Sequence, residues 1–146
     1  MDSIKIKRLN EYAIIPHRAT DGSAGMDLCA CIQTPVTIEP HQLVTIPTGI
    51  AIALPNPNCV ALLFGRSGLG VKHGITLSNS VGVVDSDYRG EIKVGLCNLS
   101  DTPYIIQPDE RIAQMVITPV LPLPVQQVAE LDETQRGENG FGSTGK

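Results

Sequence analysis

Hydrophobic and polar positions alternate with a period of two along much of the chain. In the segments 4–7, 50–54 and 92–96, an aliphatic residue stands at every second position. Such alternation is typical of short β-strands, in which successive side chains point to opposite faces. Turn-forming stretches such as EPHQ, LPNPN, SDYRG and QPDE punctuate the chain. The pattern predicts an all-β fold, either a sandwich or a barrel.

One stretch, RSGLGVKHG, departs from this alternation. Ser67 could cap a single helical turn that runs from Gly68 toward Lys72, because serine is favoured at the start of a helix. The free N–H groups of such a capped turn would bind an anion. Alternatively, Ser67 ends a strand, and the residues of this stretch leave the two interpretations open.

The C-terminal part of the sequence predicts an arm followed by a tail. The stretch TPVLPLPVQQ is apolar, but its three prolines exclude it from the middle of a sheet. Residues 132–146 are polar and rich in glycine, and they end in GFGSTGK. This ending fits a phosphate-binding glycine motif, which works only in front of a helix. Since the sequence offers no such helix, we expect a single domain, 1–131, and a flexible tail, 132–146, that closes over a phosphate site built elsewhere.

Length and composition favour one domain with an aliphatic core. The chain has 146 residues, of which 42% are hydrophobic, but it has only three tyrosines, two phenylalanines and no tryptophan. The core must therefore consist mainly of Val, Ile, Leu and Ala. Such a core is thin for this length, which favours the burial of further apolar surface between subunits.

Charge and the N-terminal sequence argue against several classes of partner. The formal net charge of −4 at pH 7 predicts no broad surface for nucleic acid. No apolar run is long enough to span a bilayer, and the N-terminal stretch MDSIKIKRLNEY lacks a signal-peptide core. We therefore expect a cytoplasmic protein that binds neither nucleic acid nor membrane.

The four cysteines are expected to be reduced thiols in that compartment. No pair of them has the C-x-x-C spacing, and the three histidines are scattered, so a structural zinc site is not favoured. Small core residues are the preferred interpretation of the cysteines.

The densest group of candidate catalytic residues lies in SNSVGVVDSDYRGEI, residues 78–92. Asp85 and Asp87 stand at the predicted tip of a hairpin, and Asp87 is interpreted as a turn former. Asp85 follows an apolar pair at a strand end, where its carboxylate could be partly desolvated and serve as a base. Tyr88 is open to two interpretations, a packing residue or a platform for a ligand.

Five segments of the chain resemble, in order, the five motifs of the homotrimeric dUTPases. The segments are AGMDLCA (24–30), GRSGLG (65–70), NSVGVVDSDYRGE (79–91), ERIAQMVI (110–117) and RGENGFGSTG (136–145). They are distributed over nearly the whole chain, and their shared order makes the resemblance specific. The chain departs from the family at Gly65, where the family usually has proline, which affects only the rigidity of that turn.

The resemblance implies a fold, an assembly and a reaction. The fold is a jelly-roll-like β-barrel or sandwich with one short helix and a C-terminal arm, and the assembly is a homotrimer with active sites at subunit interfaces. The reaction is the hydrolysis of dUTP to dUMP and pyrophosphate with Mg²⁺, which limits dUTP and supplies dUMP for thymidylate synthesis. Phosphoryl chemistry needs a positioned water and charge stabilisation, so the lack of a covalent nucleophile is no objection.

The same resemblance implies roles for individual residues. Asp85 orients and deprotonates the attacking water, and Gln114 helps to hold the network around it. Mg²⁺ is held mainly by the triphosphate and water, with Asp27 as an outer-shell partner at most; the alternative interpretation of Asp27 is a turn residue. Arg111 is interpreted as a structural arginine that ties strands or subunits together.

Substrate contacts are implied in three regions of the chain. The α- and β-phosphates would be held by Arg66, Ser67 and Gly68. The uracil and the sugar would be recognised by Asn79, Gly82, Val83, Val84, Tyr88 and Lys93. The β- and γ-phosphates and the face of the uracil would be covered by Arg136, Phe141, Gly142, Ser143 and Thr144.

Two alternative functions are open to test. A dCTP deaminase has a similar fold and a similar Arg-Ser phosphate motif, but it uses a glutamate on the strand after the hairpin, and segment 92–97 contains no carboxylate. A nucleotide-sensing binding module would keep the pocket without catalysis, because likeness of fold alone never secures activity. Replacement of Asp85 by Asn separates an enzyme, which would lose turnover, from such a module.

Overall fold

The computed structural model describes residues 3–140. Within this part of the chain the strands are β1 (Lys5–Arg8), β2 (Met26–Cys29), β3 (Val36–Ile38), β4 (Leu43–Pro47), β5 (Ile50–Ala53), β6 (Cys59–Phe64), β7 (Ile75–Leu77), β8 (Gly82–Val84), β9 (Lys93–Asn98), β10 (Tyr104–Ile106) and β11 (Arg111–Pro119). The one helix of these residues, α1 (Ser67–His73), lies between β6 and β7. The prediction of a mostly β fold with one short helix is confirmed.

The strand pairs of residues 3–140 are all antiparallel. Strands β2, β11, β6 and β8 form a four-stranded sheet in that order, and β4, β9 and β7 form a three-stranded sheet. Two further pairs join β1 to β5 and β10 to β3. Strands β2 and β8 therefore lie at opposite edges of the four-stranded sheet.

Aliphatic side chains from all four sheets form one core. Its largest fully buried side chains are Leu28, Ile38, Ile46, Ile50, Ile75, Ile92, Val94, Leu96, Ile106, Ile112 and Met115. The alternation in β9 directs Val94 and Leu96 inward, as the period of two predicts. No aromatic residue belongs to the buried set within residues 3–140, so the predicted aliphatic core is confirmed.

Helix α1 occupies the predicted position but begins one residue earlier than expected. Ser67 is its first residue, and the N-cap position is held by Arg66, which has extended backbone angles and makes no capping hydrogen bond with its side chain. Neither interpretation of Ser67 is therefore correct, because Ser67 lies inside the helix and β6 ends earlier, at Phe64. At the other end, Gly74 has a left-handed φ of 68° and its N–H donates to the carbonyl of Gly70 at 3.1 Å, which stops the helix.

The segment between β8 and β9 is not a hairpin. Strand β8 pairs with β6, whereas β9 pairs with β4 and β7, so the two strands lie in different sheets. Residues 85–92 therefore cross from the edge of the four-stranded sheet to the middle of the three-stranded sheet. The crossing begins with the predicted turn, which includes Asp87 and in which the N–H of Tyr88 donates to the carbonyl of Asp85 at 3.2 Å. The turn was predicted correctly and the hairpin was not.

Residues 120–140, which follow β11, contain no helix or strand. Pro119 is the last residue of β11, a position where a missing N–H is tolerated. The apolar side chains beyond it are exposed: Leu121, Leu123, Val125, Val128 and Leu131. This arrangement agrees with the predicted extended arm, while the boundary after residue 131 stays a prediction.

Candidate active site

A cavity of about 280 Å³ opens beside the segment that connects β8 to β9. We call it the β8–β9 cavity. It is lined by the residues that the resemblance assigns to the catalytic water, the uracil and the sugar: Asn79, Gly82, Val83, Val84, Asp85, Tyr88 and Lys93. The remaining lining residues are Leu63, Leu77, Glu91, Ile92, Val94 and Gly95. The structure thus brings together one half of the predicted site.

Asp85 is the first residue after β8, as predicted. The turn that it begins is fastened by Arg89, whose Nη1 donates to the carbonyls of Ser86 at 2.8 Å and Tyr88 at 2.9 Å. The Asp85 side chain is exposed in the single chain. The sequence led us to expect that the Asp85 carboxylate is partly shielded from water. Residues 3–140 of the same chain leave it open to water.

Tyr88 places its phenol end against Gly90. Its Oη donates to the carbonyl of Glu91 at 3.1 Å, and a Cβ on Gly90 would lie only 2.3 Å from that Oη. The residue is 47% exposed, so much of it remains open to a ligand. Tyr88 is therefore not a core residue, and the geometry favours its interpretation as a platform.

Strand β8 offers peptide groups to the cavity because it lies at the edge of its sheet. One side of β8 pairs with β6, and a Cβ on Gly82 would lie 2.9 Å from the Cβ of Leu63, so the two strands approach closely there. The other side of an edge strand presents N–H and C=O groups that no strand of the sheet uses. Such groups can pair with the polar edge of a planar ring.

A second cavity, of about 360 Å³, lies beside β2, at the other edge of the four-stranded sheet. We call it the arginine cavity. It is lined by Ala19, Ser23, Ala24, Gly25, Asp27, Arg66, Ser67, Arg111 and Gln114. Guanidinium groups are the side chains best suited to phosphate, because their N–H groups match its oxygens in pairs.

Asp27 holds both arginines of the arginine cavity. Its Oδ1 accepts a hydrogen bond from Arg66 Nε at 2.9 Å, and its Oδ2 accepts one from Arg111 Nη1 at 3.1 Å. Asp27 lies within β2, so its alternative interpretation as a turn residue is wrong. Its outer-shell role at Mg²⁺ stays a prediction. Arg111 ties β11 to β2 as expected and in addition lines the cavity, which the sequence did not indicate.

Gln114 belongs to the arginine cavity. In β11 it pairs with Asp27 on one side and with Phe64 on the other, and its Nε2 donates to the carbonyl of Gly65 at 3.0 Å. A Cβ on Gly25 would lie 2.7 Å from Gln114 Oε1, so the glycine makes room for this amide. Gln114 therefore braces the turn that precedes helix α1.

The strand register separates Gln114 from Asp85. Gln114 pairs with Phe64, whereas Val84, the residue before Asp85, pairs with Ala61 of the same strand, β6. Strands β8 and β11 flank β6, and the two positions are also displaced along it, so strand spacing and rise per residue put them roughly 15 Å apart. Within one chain the structure does not bring Gln114 to the network around Asp85, so the predicted support of Asp85 by Gln114 stays a prediction.

The other predicted phosphate contacts lie outside these two cavities. Gly68 lines a neighbouring cavity of about 420 Å³ together with Arg66 and Lys72. Arg136 lines neither the β8–β9 cavity nor the arginine cavity, and its Nε donates to the carbonyl of Asn139 at 2.9 Å. The remaining predicted tail contacts lie outside the described residues: Phe141, Gly142, Ser143 and Thr144.

Residues 3–140 provide neither a cluster of metal ligands nor a helix that could span a membrane. Residues 3–140 contain no group of three His, Cys, Asp or Glu side chains that could hold a metal ion. The helix within them is too short to cross a bilayer. The four cysteines are unpaired and partly buried. Burial, followed by the charge of Asp27, raises the pKa of the Cys29 thiol, so this thiol keeps its proton at neutral pH.

A family model described as dUTPase matches residues 11–145. The chain belongs to the dUTPase family. The match spans all five motifs, so the family predicted from them is confirmed. Glu91 and Arg89, which sequence reasoning did not assign, lie within the third of these motifs, and membership in the motif was the one signal that could have drawn attention to them.

Relatives named deoxyuridine 5'-triphosphate nucleotidohydrolase align over nearly their whole length. The protein of Neisseria meningitidis serogroup B is 49% identical over 144 residues, which cover 97% of this chain and 96% of the relative. The protein of Idiomarina loihiensis is 49% identical over 150 residues, with 100% and 99% coverage. That of Hahella chejuensis is 51% identical over 139 residues, with 95% and 91% coverage. The predicted enzyme class is confirmed by this shared name.

Solved structures of phage dUTPases share the fold. A single-residue variant of the Staphylococcus bacteriophage 80alpha dUTPase, solved with dUpNHpp, matches with a TM-score of 0.89 at 28% identity over 99% of each chain. A variant of the dUTPase of phage phi11 of S. aureus, in which a structural Mg(II) ion is coordinated, matches with a TM-score of 0.80 at 24% identity over 90% of this chain. The second likeness concerns the fold alone.

Proposed function

We propose that the chain hydrolyses dUTP to dUMP and pyrophosphate in the presence of Mg²⁺. The observation that carries the proposal is the β8–β9 cavity, in which the Asp85 carboxylate lies beside an edge strand and the half-exposed Tyr88. These groups can position a water, form hydrogen bonds with a base and discriminate between sugars. The name shared by relatives that are 49–51% identical supports the same substrate.

The separation of the two cavities supports an active site shared between subunits. A water activated by Asp85 must lie about 3–3.5 Å from the α-phosphorus, and Arg66 and Ser67 must reach oxygens of the same phosphoryl group. Within one chain, Asp85 and Gln114 of the arginine cavity are roughly 15 Å apart by strand spacing and rise. A second copy that brings its arginine cavity to the β8–β9 cavity satisfies both requirements. The assembly is the homotrimer, with Asp85 of one subunit facing Gln114 of another.

The chemistry is an in-line displacement by water. Asp85 accepts a proton from the water, whose oxygen forms a bond to the α-phosphorus as the bond from that phosphorus to the bridging oxygen breaks. Pyrophosphate leaves, and dUMP keeps the new oxygen. Ser67 donates a hydrogen bond to the bridging oxygen, where negative charge develops, and Arg66 neutralises the non-bridging oxygens. The peptide N–H of Gly68, in the first turn of α1, has no acceptor within the helix and adds a further donor.

The residues of the arginine cavity fit a metal ion that arrives with the triphosphate. Among residues 3–140, Asp27 is the one carboxylate that lines this cavity. Both of its oxygens are already engaged by arginines, so it suits contact through water better than direct ligation. Mg²⁺ bound to the phosphate oxygens would neutralise part of their charge. The protein's own contacts to the phosphates come from Arg66, Ser67, Gly68 and the tail.

Base selectivity comes from the edge of β8 and from Asn79. Peptide groups of Gly82, Val83 and Val84 pair with the uracil edge, and Lys93 at the start of β9 lines the same cavity. Cytosine would present mismatched donors and acceptors to these groups. Such mispairing of buried polar groups gives discrimination of about 10⁴ or more. Thymine is rejected by a clash of its methyl group, because overpacking a rigid site costs about 1–3 kcal/mol or more.

Sugar selectivity comes from Tyr88, which stacks on the deoxyribose and occupies the space of a 2′-OH. The tail then covers the site: Arg136 meets the β- and γ-phosphates, and the Gly-rich residues 140–145 follow them, with Phe141 over the uracil. The four unpaired thiols fit the reducing cytoplasm, which is where we place the reaction. The deaminase alternative is disfavoured because β9 carries no Asp or Glu.

The test compares the unmodified chain with Asp85→Asn and, as a matched control in the same turn, Asp87→Asn. Pyrophosphate release is measured with Mg²⁺ on dUTP, UTP, dCTP and dTTP, ammonia release is measured in parallel, and binding of dUpNHpp is measured by calorimetry. We expect release from dUTP alone, a roughly 10²–10⁴-fold loss of turnover in Asp85→Asn with retained binding, and little change in Asp87→Asn.

Other outcomes would contradict the proposal in distinct ways. Equal turnover in Asp85→Asn would remove this carboxylate as the base. Binding of dUpNHpp without turnover by the unmodified chain would indicate a nucleotide-sensing module. Ammonia from dCTP would revive the deaminase.

A further inference from the structure

Glu91 places a second carboxylate in the β8–β9 cavity, and the proposed reaction does not use it. Its side chain is only 24% exposed, and both of its oxygens are engaged. Oε1 accepts a hydrogen bond from the N–H of Gly49 at 3.0 Å, and Oε2 lies 3.8 Å from Lys93 Nζ. A partly buried charge with these partners is held in one orientation.

The partner of Oε1 is a rigid anchor. Gly49 lies in the turn between β4 and β5 with a φ of 69°, a left-handed conformation that favours glycine. A Cβ at this position would lie 2.7 Å from Cys31 Sγ and 2.8 Å from Ala13 Cβ, so the packing also requires glycine. The direction of the Gly49 N–H is therefore fixed by the fold, and Glu91 is fixed with it.

Further hydrogen bonds fasten the same segment. The buried hydroxyl of Thr48 donates to the carbonyl of Ile92 at 2.6 Å, and the N–H of Ile92 donates to the carbonyl of Ile50 at 2.8 Å. On the cavity side, the carbonyl of Glu91 accepts the hydrogen bond from Tyr88 Oη. Residue 91 thus connects the β4–β5 turn, through its side chain and backbone, to the two cavity residues Tyr88 and Lys93.

We propose that Glu91 is a positioning residue that fixes where the Tyr88 and Lys93 side chains meet the nucleoside. The inference rests on the proposed function, which assigns the sugar to Tyr88 and the uracil to the region of Lys93. The long side chain of Lys93 is 56% exposed and has many rotamers, and the Glu91 carboxylate limits them. The hydrogen bond from Gly49 fixes the position of Glu91 and therefore of its carbonyl, which holds the Tyr88 phenol. The position of that phenol sets the space left for C2′ of the sugar.

The experiment compares Glu91→Ala, Glu91→Gln and the control Glu39→Ala with the unmodified chain. Glu39 is exposed and lines neither cavity. The measurements are KM and kcat for dUTP, the ratio of kcat/KM for dUTP to that for UTP, the affinities for dUMP and UMP by calorimetry, and thermal unfolding.

For Glu91→Ala we expect KM for dUTP to rise about tenfold, the size of effect that follows from one lost charge-assisted hydrogen bond, with kcat changed less than about threefold. The preference for deoxyribose should fall by a similar factor. Glu91→Gln can still accept from Gly49 but loses its charge, so its values should lie between those of Glu91→Ala and the unmodified chain. Glu39→Ala should match the unmodified chain.

A purely structural role would lower the thermal stability and the active fraction but leave KM and the dUTP-to-UTP ratio of the folded enzyme unchanged, and that result would overturn the inference. If Glu91→Ala does not fold, Glu91→Gln is combined with Lys93→Ala. Fully additive effects of these two changes would overturn the inference, because residues that act together are not additive.

Failure of the proposed function is recognised separately: the unmodified chain would bind dUMP without turning over dUTP, and the affinities for dUMP and UMP would still test Glu91. A chain that bound neither would overturn both.

Discussion

Arg66 Nε and Asp27 Oδ1 meet at 2.9 Å, which ties the residue before helix α1 to the edge strand β2. The side chains are 26% and 22% exposed, so this is a partly buried pair rather than a surface contact. Arg111 binds the other oxygen of the same carboxylate at 3.1 Å. One aspartate thus orients both of the arginine side chains that line the arginine cavity among residues 3–140.

We predict that Asp27→Asn lowers both stability and catalysis. The unfolding free energy should fall by roughly 1.5–3 kcal/mol, because hydrogen bonds to charged groups contribute about this much. The two uncompensated arginines would attract phosphate more strongly, but solvent screens that gain. Misplacement of Arg66 by even 1 Å can reduce the rate of the reaction about 10²-fold. The net expectation is a kcat/KM for dUTP reduced about tenfold or more. Urea unfolding and steady-state kinetics measure the two effects.

Asp21→Asn serves as the control for this prediction, since Asp21 is exposed and lines neither cavity. If Asp27→Asn kept the kcat/KM of the unmodified chain, Arg66 would not depend on Asp27 for its orientation.

We predict that Gly90→Ala disturbs Tyr88 with little loss of stability. The added Cβ would lie 2.3 Å from Tyr88 Oη and 2.6 Å from Cζ, so the ring must move. Because Tyr88 is half exposed, it can move into solvent without leaving a cavity in the core. KM for dUTP should rise and discrimination against UTP should fall. Gly22→Ala, whose Cβ would meet no neighbour among residues 3–140, is the matched control. Unchanged discrimination in Gly90→Ala would remove Tyr88 from sugar selection.

Local patterns were sufficient for features that neighbouring residues determine. The position of Asp85 after a short strand follows from an apolar pair in front of a turn sequence, and turn chemistry acts over about four residues. The inward direction of Val94 and Leu96 follows equally from the alternation of β9. These features were predicted because no distant partner is needed to specify them.

Strand partners could not be predicted, because a period of two is common to every strand. The segment that contains β8 and β9 has the sequence of a hairpin, but burial of the apolar faces pairs β8 with β6 and pairs β9 with β4 and β7. The pairing of Asp27 with Arg66 and Arg111 has the same origin, since the three residues come from β2, from the N-cap of α1 and from β11. No local pattern connects residues so far apart in the sequence.

We predict that the stability of the fold decreases at alkaline pH through Tyr104. Burial, followed by the hydrogen bond to Glu110, raises the pKa of Tyr104 to about 12 from a usual value of 10.0. A raised pKa in the folded state means that the neutral phenol stabilises the fold. This contribution is complete below about pH 10 and is lost as the pH rises from about 10 to 12.

The measurement is urea unfolding of the unmodified chain and of Tyr104→Phe at several pH values across that window. The stability difference between the two proteins should narrow as the pH rises. Tyr12→Phe, at an exposed site, is the control and should follow the unmodified chain. A stability difference that is independent of pH would show that the Tyr104 phenol titrates alike in the folded and unfolded chains.

We predict that truncation after Leu131 leaves the oligomer intact but cripples turnover. Residues 120–131 form no strand or helix, and the segment beyond them includes Arg136, which the proposed function assigns to the β- and γ-phosphates. Loss of such contacts, which close a site and exclude water, removes stabilisation of the transition state rather than of the fold. Size-exclusion chromatography with light scattering measures the assembly, and pyrophosphate release from dUTP measures turnover. Full activity of the truncated chain would refute the covering role of the tail.

A mixing experiment identifies which subunit the tail serves. The truncated chain keeps Asp85 but lacks the tail, and full-length Asp85→Asn keeps the tail but lacks the base. If the tail covers a neighbour's site, mixed oligomers refolded from the two inactive proteins regain turnover, because some sites then combine an intact Asp85 with an intact tail from another subunit. If the tail covers the site of its own chain's Asp85, no site in the mixture has both groups, and turnover does not return.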